Sequence, residues 1–363
     1  MRRSALLFIA VFLTCRLIAG QSIQSEQQGQ SGQAATAPQP AYDWQHELRI
    51  DGHLALHYSP DGSFSPDGSI LAVVGQRRVI LLDLAHGRGL KALHPSIPGI
   101  EALDIHSANY VSPERLLILA NGLMKLKGQA APFETPELVF QWDITQDALT
   151  GKVEELGAKG GFLPPVYFPR IHRVALYKDS AFTLWDPLTG LAGKYALPQL
   201  THPPHLFAFS LDGRWLLLAQ IETSANPNPI VVSAKDHAFT DVLSGHEATV
   251  LSMTFSRDGK LLETSCEDGK VRVWSVPDWK LLQTLTGNAG PVHWAEFSPD
   301  GSLVAAAGED NTARIWDVAT GKLIRTFEES KQPLLTVAFS PDGKYLAATS
   351  QNEVHVWVRK AVN

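Results

Sequence analysis

The chain is nearly without cysteine: Cys15 and Cys266 are the only two among 363 residues. A disulfide framework is therefore excluded, and stability has to come from packing. Long apolar runs are missing as well. After residue 20 no stretch approaches the ~18 uninterrupted apolar residues that a membrane-spanning helix needs. Local catalytic signatures are also lacking, with no G-x-S-x-G elbow, G-x-G-x-x-G fingerprint, Walker A loop or H-E-x-x-H pair. Nor is there an excess of basic charge, since 31 Lys and Arg face 37 Asp and Glu. Such a chain is poorly suited to nucleic acid or to anionic membrane surfaces.

What is present begins with a leader. Arg2 and Arg3 precede the apolar run Ala5 to Cys15, and Leu17-Ile18-Ala19-Gly20 follows. A basic start, a short apolar core and small residues at the end are the layout of a secretory signal peptide, expected here over 1–20 with cleavage near Gly20. An apolar run ended by Arg16 is too short to serve as an anchor. Losing Arg2, Arg3 and Arg16 takes the 31 basic residues to 28 against 37 acidic ones, a formal charge of −9. Residues 21–41 are rich in Gln, Ser, Gly, Ala and Pro, with Ile23 the one large apolar residue. That composition predicts a disordered tether.

From residue 42 the sequence repeats itself. A four-residue word with the chemistry of a type I turn stands at Ser59–Gly62 and Ser65–Gly68 as S-P-D-G, then at Ser210–Gly213, Ser256–Gly259, Ser298–Gly301 and Ser340–Gly343. The last four aspartates, 212, 258, 300 and 342, are 46, 42 and 42 residues apart. Tryptophans keep the same period: Trp142 and Trp185 are 43 apart, and Trp274, Trp316 and Trp357 follow at 42 and 41. Around each marker apolar residues alternate in four short runs, the pattern of an antiparallel meander and of a propeller blade.

These words resemble the WD-repeat (WD40) β-propellers. The Trp-Asp pair occurs at Trp142-Asp143, Trp185-Asp186 and Trp316-Asp317, and Gly-His at Gly52-His53 and Gly245-His246. The resemblance covers about residues 44–363, is densest from 245 to 357, and implies an all-β, seven-bladed propeller over 42–363 in an exported chain. The units are read at about 54–94, 97–156, 157–198, 201–244, 247–287, 290–329 and 332–357, with Leu82 and Val232 replacing tryptophan in the first and fourth. Too few residues follow Trp357 for an outer strand, so Trp44–Gly52 is expected to close the last blade beside the C-terminal strand. By its spacing to Leu82, the second S-P-D-G copy is the turn of blade 1 and the first is extra length. The family's buried hydrogen-bonded chain is expected in the fifth unit alone, from His246, Ser265, Asp268 and Trp274.

No residue reads as catalytic, and no cofactor or metal is implied. His202 and His205 flank two prolines that exclude a ligating helix. Asp268 and Asp310 repeat for structural reasons, and Cys266 reads as a buried small residue. Met124 to Glu137 is read as an insertion before the second tryptophan strand, and His293-Trp294 lies in an innermost strand. The expectation is a monomeric protein-interaction scaffold with a protein or peptide partner and no membrane insertion after the leader is lost. The binding rim should gather Arg77, Arg78, Met124, Lys125, Phe133, Lys178, Asp179, His202, His205 and Glu247. Two other classes stay open: a lactonase-like or other hydrolase, and a small-ligand or glycan sensor at the central channel.

Overall fold

Alternating apolar residues put one side chain in two onto each face of a strand, so a blade buries both faces only between two neighbours. The computed structural model realises this seven times. It describes residues 42–51, 54–55, 63–75, 77–124, 133–156, 166–168, 171–178, 181–187, 189, 192–196, 204–220 and 227–361.

The first strand, β1 (Tyr42–Asp51), stands apart from those that follow it. Blade 1 is β2 (Leu54–Ala55), β3 (Ile70–Gly75), β4 (Arg78–Asp83) and β5 (Arg88–Leu93), and blade 2 is β6 (Ala102–Ser112), β7 (Arg115–Met124), β8 (Phe133–Asp143) and β9 (Ala148–Glu155). Blade 3 comprises β10 (Val166–Phe168), β11 (Arg173–Lys178), β12 (Ala181–Trp185) and β13 (Ala192–Ala196). Blade 4 comprises β14 (Pro204–Phe209), β15 (Trp215–Gln220), β16 (Ile230–Ser233) and β17 (Phe239–Val242). Blade 5 follows with β18 (Val250–Phe255), β19 (Leu261–Cys266), β20 (Val271–Ser275) and β21 (Leu281–Leu285). Blade 6 has β22 (Val292–Phe297), β23 (Leu303–Gly308), β24 (Ala313–Asp317) and β25 (Leu323–Phe327). Blade 7 holds β26 (Thr336–Phe339), β27 (Tyr345–Thr349) and β28 (Glu353–Ala361), with β1 as its fourth strand. The seven antiparallel sheets form a ring, and among the described residues no helix is long and apolar enough to cross a membrane. Leu82 and Val232 are fully buried where other blades have tryptophan.

The repeated word owes its recurrence to one hydrogen-bonded unit. In all five described copies the serine Oγ accepts the backbone N–H five residues on at 2.9 Å and donates to the aspartate two residues on. The aspartate accepts the N–H two residues further, and the glycine sits at φ 68° to 73°, where a Cβ would be strained. Hydrogen bonds from Ser65 and then Ser69 hold Asp67 below the usual carboxylate range.

Ser65–Gly68 is the copy that turns into β3, with Gly68 N–H donating to Ser65 O at 2.8 Å. The earlier copy, Ser59–Gly62, lies outside the described residues. The described pairings on either side of it differ in chain length: Ala55 pairs with Val74 and Phe64 bridges Leu71, nine positions apart on one side and three on the other. The excess is six, the length of S-P-D-G-S-F.

Closure uses both chain ends. β1 pairs with β28 from Tyr42↔Ala361 to Asp51↔Glu353. Trp44 is buried against Phe327 of blade 6 and Phe339 of blade 7, with ring centroids 6.3 and 6.1 Å away. Arg49 pairs with Glu353 at 2.8 Å. His355 donates from Nε2 to Glu353 at 2.9 Å, which leaves its Nδ1 to accept from His46 Nε2 at 3.2 Å.

Two outcomes follow. Deleting Ser59–Phe64 places Tyr58 where Phe64 stands and restores three residues against three, so the melting temperature should be unchanged or higher; loss of the folded β signal would contradict this register. Trp44→Ala should cost about 3–5 kcal/mol in a denaturant titration, the range for emptying a buried aromatic site.

Candidate functional site

The meander fixes which loops share an end. Turns between first and second and between third and fourth strands lie on one rim, while second-to-third turns and inter-blade links lie on the other. The described members of the sequence-predicted rim belong to this second rim. Arg77 occupies the β3–β4 turn at φ 58° and, like Arg78 at the start of β4, is exposed. Met124 and Phe133 pair at the end of the β7–β8 hairpin, Lys178 pairs with Ala181 at the end of β11, and Glu247 is exposed and bonded to Lys270 at 2.9 Å. Lys125, Asp179 and His202 lie outside the described residues.

Two expectations need correction. His205 is not a free rim group: it is tucked into β14, and its Nε2–H donates to Val250 O of the next blade at 2.8 Å. Burial lowers its proton affinity. Part of the segment read as an insertion is strand, because β8 starts at Phe133 and Glu137 pairs with Asn121.

Sequence reasoning also missed a recurring feature of the innermost strands. Near the start of β6, β14 and β22 the ladder skips a histidine, His106, His205 or His293, where the matching bulge of β18 skips Leu251. Each histidine stands four residues before an aromatic at or near the end of its strand, Tyr110, Phe209 or Phe297, a signal legible in the sequence. A β-bulge re-aims a side chain, and these three lie toward the second rim. His293 pairs with Glu309 at 2.6 Å, and Trp294 packs into the seam with blade 7. His106 Nε2 is 3.9 Å from Glu137 Oε2. Glu137 is almost buried, and burial followed by the charge of Asp104 pushes its pKa up to about 7. Glu263 is wholly buried with its Oε1 accepting from Thr254 at 2.8 Å, and burial takes it to about 8. Among the described residues no three His, Cys, Asp or Glu converge as a metal site. Cys266 is buried, which pushes its thiol up to about 11 and keeps it protonated.

The family model for the WD domain, G-beta repeat, matches residues 238–275, 279–317 and 321–358, three consecutive repeats in the part of the ring where the turn word and tryptophan are most regular. The chain is a WD40-repeat β-propeller. A comparison with curated proteins finds no match.

In this WD40 propeller the buried chain of blade 5 differs from the expected one in two members. Trp274 Nε1–H donates to Thr264 Oγ1 at 3.1 Å, and Thr264 bonds His246 Nε2 at 2.8 Å. His246 Nδ1–H then donates to Leu243 O at 2.9 Å. Burial, and next the charge of Arg272, lowers the His246 pKa to about 4, so the ring is neutral and Nε2 can accept the Thr264 hydroxyl. Ser265 is one position off: Trp274 pairs with Leu262, so the linking hydroxyl must share Leu262's parity, and Ser265 faces Ser252 at 2.8 Å instead. Asp268 is bonded to Arg272 at 2.7 Å and accepts Glu247 N–H, pinning the inter-blade link. Blade 6 repeats that clamp with Asp310, Arg314 and Ala289 N–H, where Asn288 replaces the histidine and accepts from Arg314. The Trp-Asp aspartates cap the third-to-fourth turns, as when Asp143 and Asp317 accept N–H groups of Thr145 and Thr320.

Thr264→Val removes a donor to His246 and an acceptor for Trp274 together. It should cost about 1–3 kcal/mol in chemical denaturation, and Thr264→Ser clearly less, because stranded buried polar groups carry that penalty.

Proposed function

We propose that this propeller is an exported interaction scaffold that binds a protein or peptide partner on the rim of second-to-third turns and inter-blade links. The observation that carries the reading is the contrast between rims. The opposite rim repeats one turn, bond for bond, in five blades. The proposed binding rim varies more: a two-arginine turn in blade 1, a long β7–β8 hairpin in blade 2, the paired Lys178 and Ala181 in blade 3, and the Glu247–Lys270 pair that blade 5 adds to the clamp it shares with blade 6. A scaffold that holds its strands constant while varying one loop set is arranged for recognition. WD40 propellers commonly act as protein-interaction scaffolds, which supports the same reading. Export rests on the first twenty residues, and an acidic chain with a few basic residues on this rim discriminates partners by local charge.

The test is retention of a partner from the exported fraction by the purified chain. Reversing Arg77 and Arg78 to Glu, or replacing residues 125–132 with an Asn-Gly turn, should weaken retention at least several-fold with the melt nearly unchanged. Intact-mass measurement on secreted or periplasmic protein should find a new N-terminus near Gly20. Turnover of a lactone, glycoside or phosphate ester that a single channel-mouth substitution abolishes would overturn the scaffold reading.

A further inference from the structure

Across the upper part of blade 2, Asp104, Asn121 and Glu137 stand side by side on β6, β7 and β8. They share the face of Leu119 and Val139, which pack against Tyr167 and Val174 of blade 3. The row therefore lies along the seam of these two blades, a few residues below the Met124–Phe133 end of the hairpin and hence next to the variable rim.

The side chain of Glu137 is only 9% exposed, and its Oε1 has no hydrogen-bond partner. Its other oxygen lies beyond hydrogen-bond reach of His106, whose proton affinity burial lowers. Asn121 Oδ1 is likewise buried, beside the His106 ring but without a well-formed hydrogen bond, while Asp104 is exposed. Among the described residues no lysine or arginine pairs with Glu137. A buried carboxyl in such a place holds a proton or takes up a cation. Asp104 and Asn121 set two more acceptors beside it in the row, so what the row lacks is a compact group with several donors.

We propose that this row is the seat of a lysine ε-ammonium from the partner protein, received by Glu137 Oε1, Asn121 Oδ1 and the Asp104 carboxylate. The assignment rests on the reading of this rim as the binding surface. Lysine fits where arginine does not. An ammonium is a point charge with three donors on a thin stem, whereas a guanidinium seeks both oxygens of a carboxylate in a flat fork. Here one oxygen of Glu137 is free and the other faces an imidazole.

The proton competes with the lysine. Glu137 holds a proton in the folded chain up to a pH of about 7, well above its ordinary value, so burial of its charge costs stability as the pH rises from the unfolded value through 7. The described titratable neighbours are Asp104 and His106. Lysine binding requires the ionised carboxylate, so affinity should rise as the pH rises through 7.

The experiment titrates the propeller with capped peptides of alternating glycine and lysine, and with arginine and norleucine versions, by calorimetry at pH 6 and pH 8. The lysine peptide should bind about tenfold more tightly at pH 8 than at pH 6, and more tightly than either analogue. Glu137→Gln imitates the protonated carboxyl and should keep the melt of the native chain while losing at least tenfold of the pH 8 affinity together with the pH dependence. Equal binding by this variant, equal binding of the arginine peptide, or affinity insensitive to pH would overturn the proposal. So would calcium or zinc binding that depends on Glu137 while the lysine peptide fails to bind. The two readings fail separately. Partner retention that survives Glu137→Gln but not the Arg77 and Arg78 reversal removes only the lysine seat. Glu137-dependent lysine binding with no partner retained keeps the seat and counts against the scaffold.

Discussion

The pairing of β1 with β28 is the contact on which the rest of this molecule depends. Seven meanders in a row touch only their neighbours, and the last would expose the backbone donors and acceptors of β28 to solvent and to other chains. The N-terminal strand takes up those groups, so the final blade is assembled from segments some 300 residues apart. Trp44 then sits between the outer strand of blade 6 and the inner strand of blade 7, and Arg325 of blade 6 bonds Asp43 beside it. Closure thus ties the chain end to two blades.

The ring was legible because it is written redundantly. Turn word, tryptophan and alternation all keep one period, so the loss of tryptophan to Leu82 or Val232 does not hide a blade. The closing strand and the active copy of the tandem turn could be read from spacing alone. Readings failed where the direction of a side chain depends on exact register. Thr264 and Ser265 are adjacent hydroxyls on opposite faces of β19, and only the pairing of Trp274 with Leu262 decides which one meets the tryptophan. Pro132 and Pro136 made the segment before Trp142 look like loop. Pro136 is tolerated inside β8 because the ladder skips between Asn121 and Leu123, where no backbone donor is required of it. Such skips in the ladder hid His106 and Glu137, whose meaning depends on which way a bulge turns a side chain.

Blades 5 and 2 show two treatments of buried polarity. In blade 5 each member of the relay from Trp274 through Thr264 and His246 has a partner, and on the opposite face Ser265 bonds Ser252, which accepts Ala295 N–H of blade 6. Satisfied networks of this kind rigidify a seam. In blade 2, Ser107, Asn109, Asn121 and Glu137 all keep buried atoms without hydrogen bonds. Natural structures leave few such groups, and among the described residues most of them fall in blade 2, while blade 5 keeps one at Glu263 Oε2.

The six surplus residues of blade 1 also bear on how such a ring can change. Side chains alternate in and out along a strand, so an insertion of odd length would turn every later apolar residue of that strand toward the wrong face. Six is even, and the added segment brings its own turn chemistry while ending in Phe64, which returns to the core facing Leu71. Chain length and strand register are thereby uncoupled at this point. The innermost strand of blade 1 is a place where sequence can be gained or lost in whole units without the other six blades registering the difference.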